Sequence, residues 1–179
     1  MGTLLAIDPG SSESGWVLID VDTRRPLRFE KTENHALRVL IAAGRLPADR
    51  AVIEMVASYG MAVGAEVFST CVWIGRFVEV LGDVDVDLVK RLPVRVHHCH
   101  SPKAGDPNVR QALVDRFAPG ERNHGKGTKA APGFFYGFHD DIWQAFALAV
   151  YAADTLQPSA PEPREARPSQ STPPDDCYR

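Results

Sequence analysis

Three short strand-like segments follow one another within the first 31 residues, and this succession constrains the fold more than any other feature of the sequence. The first two are mainly apolar, and the third alternates Leu27 and Phe29 with charged residues. Residues 4–7 end at the turn Asp8-Pro9-Gly10, residues 15–21 follow, and residues 27–31 come after a turn that contains Pro26. Apolar segments of this length, separated by turn residues, are typical of β-strands. Because the connections are too short to contain a helix, the sequence predicts an antiparallel meander of three strands.

The remainder of the chain alternates between helical and extended patterns. The pattern predicts helices at 37–44, 62–81, 106–117 and 140–156, strands at 51–54 and 94–99, and a loop rich in Gly and Lys at 120–137. Three antiparallel strands followed by alternating helices and strands predict an α/β fold. We expect a mixed five-stranded sheet, with the later strands parallel, and helices on both faces.

The predicted helix 62–81 has apolar residues around its whole circumference, and its charged residues are Glu66, Arg76 and Glu79. A helix of this kind must be covered on two sides. The sheet can cover one side, and the other is expected to contact something else.

The last 23 residues differ in composition from the rest of the chain. Residues 157–179 contain six prolines and no Val, Ile, Leu, Phe or Met. Such a segment cannot bury enough apolar surface to offset the entropy of ordering it. We therefore predict one folded domain, residues 1–156, followed by a disordered tail.

Cysteine content and hydropathy limit the class of protein. The three cysteines, Cys71, Cys99 and Cys177, are far apart, which excludes a disulfide scaffold and a zinc site built from two cysteine pairs. No apolar run approaches the ~18 residues that a membrane span needs, and no basic segment precedes an apolar one at the N-terminus. We expect a cytoplasmic protein with no membrane partner.

Basic residues are concentrated in one part of a chain whose net charge is −3. Residues 90–129 contain nine Lys or Arg and three Asp or Glu. Such asymmetry within one small domain is typical of a surface that binds a polyanion, the alternative being an ordinary solvated basic surface.

Acidic residues stand at the ends of several predicted core elements. Asp8 ends the first strand, Glu54 ends the fourth, and Asp140-Asp141 open the last helix. If the first and fourth strands are neighbours, Asp8 and Glu54 lie side by side, and carboxylates so placed suit Mg²⁺ or Mn²⁺. Each acid alone has a structural explanation, a turn for Asp8 and a helix N-cap for Asp140 or Asp141. Their combination favours a metal site.

Several segments together resemble one family. Leu4-Leu5-Ala6-Ile7-Asp8-Pro9-Gly10, with Gly15-Trp16 opening the next strand, resembles the start of the RuvC-type Holliday-junction resolvases of bacteria and bacteriophages, which belong to the ribonuclease H-like superfamily. Val52-Ile53-Glu54 before a long apolar helix, the basic loop 102–110 and the closing helix from Asp141 are similar to later motifs of that family, in the same order. The resemblance implies a ribonuclease H-like fold.

The resemblance also implies a set of metal ligands. Asp8 would bridge two Mg²⁺ ions, for which Mn²⁺ could substitute, and Glu54 and Asp141 would hold one ion each. The chain departs from the family at Gln144, which stands where the family has a second acid in the closing helix. Asp140, four residues before Gln144, is expected on nearly the same helix face, and His139 is a candidate nitrogen ligand. Which of His139, Asp140 and Asp141 reaches the metal stays open.

The activity implied by the resemblance is the resolution of four-way DNA junctions through paired nicks. Two nicks on opposite strands require two active sites related by a two-fold axis, so we expect a homodimer formed through helix 62–81. The side chains expected to contact DNA phosphates are Lys103, Arg110, Lys126 and Lys129. The expected location is the cytoplasm of a bacterium, or of the bacterial host if the protein is encoded by a phage.

Three other functions compete with this one. A YqgF-like or other nuclease of the same fold would act on RNA or on other branched DNA. A catalytically silent DNA-binding module is conceivable because Gln144 removes a negative charge. An actin-like kinase also begins with an Asp-x-Gly turn, but it needs two lobes, and about 156 residues supply one.

Two further motifs carry less weight. His97-His98-Cys99-His100 resembles a metal cluster, but a strand would send alternate side chains to opposite faces. Gly125-Lys126-Gly127-Thr128 lacks the spacing of a Walker phosphate loop and has no strand before it. We interpret the second motif as part of a basic loop that contacts DNA.

Overall fold

A computed structural model of the chain describes residues 2–58, 60 and 62–155, and the predicted tail 157–179 lies outside these residues. The strands are β1 (Thr3–Pro9), β2 (Glu13–Asp20), β3 (Pro26–Glu33), β4 (Arg50–Met55) and β5 (Asp85–Lys90). The α-helices are α1 (Asn34–Ala42), α2 (Ala65–Leu81), α3 (Arg91–Cys99), α4 (Asp106–Phe117) and α5 (Ile142–Thr155). A short 3-10 turn, Asn123–Gly125, lies in the loop between α4 and α5.

The five strands form one sheet in the order β3-β2-β1-β4-β5. The first three strands are antiparallel, β4 is parallel to β1, and β5 is parallel to β4. The predicted mixed sheet, with an antiparallel meander followed by parallel strands, is therefore confirmed.

Helices cover both faces of the sheet, as predicted, because successive residues of each strand point to opposite sides. On β1, Leu5 and Ile7 pack into a core with residues of α1 and α2. Leu4 and Ala6 pack into a second core with residues of α4 and α5. All three tryptophans, Trp16, Trp73 and Trp143, are buried, as their apolar surroundings in the sequence indicate.

The predicted strand 94–99 is wrong: these residues belong to α3, and the fifth strand is β5, directly before it. Pro93 lies in the first turn of α3, where a missing N–H is tolerated. β5 is an edge strand with partly exposed side chains, which explains its weak apolar pattern.

The revised secondary structure also changes the interpretation of the histidines near the end of α3. His97 Nε2 lies 2.9 Å from Asp154 Oδ2, and His98 Nε2 lies 2.8 Å from the carbonyl oxygen of Ala147. The two rings therefore bind different groups on α5. These two side chains do not form a metal cluster. The reason given from the sequence, alternation along a strand, was wrong because the residues belong to a helix.

α5 is tied to its neighbours near its C-terminal end through Asp154. The Asp154 carboxylate accepts hydrogen bonds from Arg24 and Arg116 and contacts His97. Burial by itself would raise the pKa of Asp154, but the bonds from Arg116 and His97 hold it below its usual range. The cluster joins α5 to α3, α4 and the turn between β2 and β3.

α2 covers the sheet with one side only. Trp73, Ile74 and Phe77 pack against the sheet, whereas Phe68 and Val72 are 62 % and 54 % exposed. The prediction that a second surface covers this helix is therefore not met within the described residues. Across these same residues, no helix combines the length and the apolar character that a bilayer span requires.

Candidate active site

The register of two parallel strands brings Asp8 and Glu54 together. Ile7 of β1 is paired with Ile53 of β4, so the residues that follow them are neighbours at the carboxyl ends of the strands. Val52 of β4 packs into the same core as Ala6 of β1, on the face covered by α5. Because Asp8 and Glu54 each lie two residues further along, both point to that face.

A guanidinium group joins these two carboxylates. Arg91 Nε lies 2.9 Å from Glu54 Oε1, and Arg91 Nη2 lies 3.7 Å from Asp8 Oδ2. Arg91 Nη1 lies 3.8 Å from Oδ2 of Asp106, the first residue of α4. Arg91 therefore contacts acids from three separate elements.

Burial and mutual repulsion disfavour the charged forms of the two strand-end acids. The side chains of Asp8 and Glu54 are 14 % and 15 % exposed. Burial, and next the charge of Glu54, raise the pKa of Asp8 to about 8 despite the opposing effect of Arg91. Burial likewise raises the pKa of Glu54. These two carboxylates favour a nearby cation, or they retain a proton.

Asp141 approaches the same point because Gly15 has no side chain. Gly15 of β2 is paired with Asp8 of β1, and a Cβ on Gly15 would lie 2.7 Å from the backbone carbonyl carbon of Asp141. The charge of Asp141 also raises the pKa of Asp8, which is consistent with their proximity. Lys31 Nζ, from β3, lies 2.9 Å from Asp141 Oδ2.

His139 and Asp140 are placed differently. Both side chains are exposed, and His139 Nδ1 lies 3.2 Å from Asp140 Oδ2. The expectation that Asp140 shares a helix face with Gln144 is wrong, because α5 begins at Ile142 and Asp140 has a φ of 39°. Asp140 therefore belongs to the turn before the helix, where its side chain lies at the rim of a cleft.

An open cleft of about 570 Å³ lies beside the acids. Its wall includes Arg91, Arg110, His124, Asp141 and Gln144. The Arg110 guanidinium carbon lies 4.6 Å from the centre of the Trp143 ring, which holds this cation against the wall. Gln144 lines this cleft together with Asp141.

The four predicted DNA-contacting residues lie at different distances from this cleft. Arg110 lines it, on α4. Lys103 is exposed in the loop before α4, and Lys126 and Lys129 lie in the loop that leads to α5. The structure therefore places one of the four in the cleft and the three lysines on the loops that flank α4.

The chemistry of these side chains fits a hard divalent cation, because buried carboxylate oxygens are the ligands such ions prefer. The side chains in this arrangement do not form a complete set of metal ligands. Among the described residues, no three Asp, Glu, His or Cys side chains are close enough to hold one ion. Arg91 and Lys31 contact the carboxylates that would bind it.

Sequence analysis did not identify Arg91 or Lys31 as site residues. Arg91 is one of nine basic residues between 90 and 129, with nothing to distinguish it from the others. Its role becomes visible once β5 is placed next to β4, because β5 ends at Lys90, opposite Met55. Lys31 lies on an edge strand whose pairing with β2 is what carries it to Asp141.

Known structures provide an independent comparison. RuvC of Thermus thermophilus in complex with a Holliday junction substrate is 15 % identical to this chain, with a TM-score of 0.63 over 86 % of this chain and 93 % of that chain. A second Thermus thermophilus RuvC structure is 16 % identical, with a TM-score of 0.62 over 84 % and 93 % of the two chains. No protein-family model and no curated protein matches the sequence. The chain has the RuvC fold, as the sequence motifs predict.

Replacing Gly15 by Ala tests whether its close approach to Asp141 shapes the site. The new methyl group would overlap the backbone of Asp141, so either α5 or β2 must shift. We expect the free energy of unfolding to fall by about 1–3 kcal/mol, measured by urea denaturation.

Gly75→Ala is the matched control, because Gly75 lies within α2 and a Cβ there would meet no atom within 4 Å. This change is expected to leave stability unchanged or to raise it by about 0.5–1 kcal/mol. Equal stability of the two variants would contradict the close packing of Gly15 against Asp141.

Proposed function

We propose that this protein is a structure-selective endonuclease that cleaves four-way DNA junctions by metal-dependent hydrolysis of phosphodiester bonds. The observation that carries the proposal is the buried pair Asp8 and Glu54, in a fold shared with RuvC. Both acids contact Arg91, which lines a cleft together with Arg110. A junction-bound RuvC structure with the same fold supports branched DNA as the substrate.

Asp8, Glu54 and Asp141 are the residues that would hold the divalent ions, either Mg²⁺ or Mn²⁺. Asp8 is central, since the charges of Glu54 and Asp141 both act on it. Two such ions would supply the charge that activates a water molecule for attack on phosphorus and stabilises the leaving 3′ oxygen. Cleavage would leave a 5′ phosphate that a ligase can use.

The other residues of the cleft would bind and orient the DNA. Arg110 is fixed against Trp143, so its guanidinium can contact a phosphate without much loss of conformational freedom. Lys103, Lys126 and Lys129 are placed on loops where they would follow the DNA backbone. Phosphate contacts of this kind position the junction and read little sequence. His139 and Asp140, exposed in the turn before α5, would contribute by orienting water or DNA.

A homodimer would supply the two active sites that paired nicks require. The exposed side of α2 carries an apolar stripe of Phe68 and Val72, one helical turn apart, and Val78 is partly exposed further round the helix. A second copy of the chain, packed through the same stripe, would bury it in a two-fold interface. A DNA substrate would place this dimer in the cytoplasm of a bacterial cell.

One observation favours a second candidate, a DNA-binding module without activity. Arg91 and Lys31 contact the three carboxylates, and Gln144 replaces a further acid. The cleavage experiment separates the two candidates, because a silent module would bind the junction and leave it intact. Labelled RNA and linear duplex in the same assay would reveal a nuclease of different specificity.

Cleavage of a labelled four-way junction, in Mg²⁺ and in EDTA, tests the function directly. We expect Mg²⁺-dependent nicks at symmetric positions, reduced by at least about a hundredfold in Asp8→Asn and Glu54→Gln, because each change removes a metal ligand. Junction binding, measured by gel mobility shift, is expected to persist in both variants.

Asp83→Asn is the control for that assay. Asp83 is an exposed acid just before β5, at the opposite end of the parallel strands from the site. The Asp83→Asn variant should cleave the junction as well as the wild-type protein does. Cleavage that survives both Asp8→Asn and Glu54→Gln would contradict the assignment of the site.

The dimer is tested by the mass of the protein in solution. We expect the wild-type protein to sediment as a dimer. The dissociation constant of the Phe68→Glu dimer should be at least about tenfold higher, because a charge replaces an aromatic ring that the proposed interface buries. Val96→Glu, on the exposed side of α3 across the sheet, is the control and should remain dimeric. A monomeric wild type, or a Phe68→Glu variant that dimerises normally, would contradict the proposed interface.

A further inference from the structure

Arg91 occupies the place where a cation would bind the strand-end acids. Its Nε is within 2.9 Å of Glu54 Oε1 and 3.3 Å of Glu54 Oε2, so both carboxylate oxygens face the guanidinium. Its Nη2 lies 3.7 Å from Asp8 Oδ2. A planar guanidinium presents several donors in a fixed arrangement, which allows one side chain to serve two carboxylates.

The pairing of β4 with β5 positions Arg91 beside Asp8 and Glu54. Lys90, the last residue of β5, is paired with Met55, and Glu54 is paired with Val89. Arg91 therefore begins α3 directly beside the strand end that carries Glu54. This position depends on the sheet itself and not on a long flexible connection.

A divalent ion would need the same oxygens. The side chains of Asp8 and Glu54 are largely buried, so few of their oxygen atoms are open to solvent on another side. The guanidinium already contacts both oxygens of Glu54, which the ion would have to coordinate, and the two cations also repel each other at short range. The guanidinium and the ion therefore cannot occupy the pair together in the arrangement seen here.

We propose that Arg91 is a resident cation of the acidic centre, which competes with the divalent ion for Asp8 and Glu54 and so sets the metal affinity of the site. This inference rests on the proposed metal-dependent function. Without a bound ion, the single charge of Arg91 partly offsets the charge of the two buried carboxylates and keeps their side chains ordered. When an ion binds, the guanidinium leaves Glu54.

Asp106 gives the displaced guanidinium a second acceptor. Its Oδ2 is already 3.8 Å from Arg91 Nη1, and its side chain is about half exposed at the wall of the cleft. A small rotation of Arg91 towards Asp106 would release Glu54 without leaving the guanidinium unpaired. Asp106 thus makes the exchange of cations reversible.

The test is the affinity of the protein for Mn²⁺ alone, followed by electron paramagnetic resonance in the absence of DNA. We expect Arg91→Gln to bind Mn²⁺ at least about tenfold more tightly than wild type, equivalent to about 1.4 kcal/mol. Introducing Asp8→Asn into the Arg91→Gln variant should abolish this gain.

Arg95→Gln is a closely matched control. Arg95 lies one turn further along α3, its side chain is 31 % exposed against 32 % for Arg91, and it contacts Asp106 at 3.4 Å. Its removal deletes the same charge without freeing Glu54 or Asp8. We expect its Mn²⁺ affinity to stay within about threefold of wild type.

The outcomes separate this inference from the proposed function. Unchanged or weaker Mn²⁺ binding by Arg91→Gln, while Asp8→Asn weakens binding by wild type, would overturn the role of Arg91 and leave the nuclease proposal standing. An equal gain in Arg95→Gln would also overturn it, since net charge would then explain the effect. If no variant binds Mn²⁺, both proposals fail.

A second variant covers the case in which Arg91→Gln does not fold, as judged by circular dichroism. Arg91→Lys keeps the charge but replaces the planar guanidinium, whose fixed donors reach Glu54 and Asp8, by a compact ammonium on a flexible stem. We expect it to raise Mn²⁺ affinity by about threefold. An Mn²⁺ affinity equal to that of wild type would contradict competition between Arg91 and the ion.

Discussion

Burying Asp8 beside Glu54 is unfavourable unless a positive charge accompanies them, and the surroundings of the site follow from that requirement. Each carboxylate lies at the end of a parallel strand whose preceding residues are fully buried, so neither can move far towards solvent. An unpaired buried charge destabilises a fold by several kcal/mol. Arg91 supplies the compensating charge in the metal-free protein, and a divalent ion would supply it in the proposed enzyme.

The position of α5 determines whether a third acid joins this pair. Near the start of the helix, Gly15 lets the backbone of Asp141 approach β2 closely. At the other end, Asp154 is held by Arg24, Arg116 and His97. Between these points the helix is buried along most of its length, so it behaves as a rigid element. The acidic centre is therefore built on strands and a fixed helix, with the basic loops around it.

Features with a strict periodicity could be predicted from the sequence. The meander and the burial of the tryptophans follow from alternation and apolar composition. The placement of Asp8 beside Glu54 required in addition that β1 and β4 be neighbours, which the sequence analysis stated only as a condition. β5 could not be found in this way because an edge strand has little apolar pattern. The placement of Asp140 failed because helical spacing was extended two residues too far, to a residue that itself has a positive φ. Arg91 and Lys31 contact acids that are far from them in the sequence, and no local pattern records such contacts.

The central claim is that side chains from β1 and β4 share a divalent ion. A crystal of the wild-type protein soaked in Mn²⁺ tests it directly, because anomalous scattering locates the ion independently of the protein coordinates. We expect a peak about 2.0–2.3 Å from oxygen atoms of both Asp8 and Glu54, with Asp141 nearby and the guanidinium of Arg91 displaced from Glu54. A crystal saturated with Mn²⁺ that shows no anomalous peak at Asp8 and Glu54, and in which Arg91 still contacts Glu54, would contradict the shared ion.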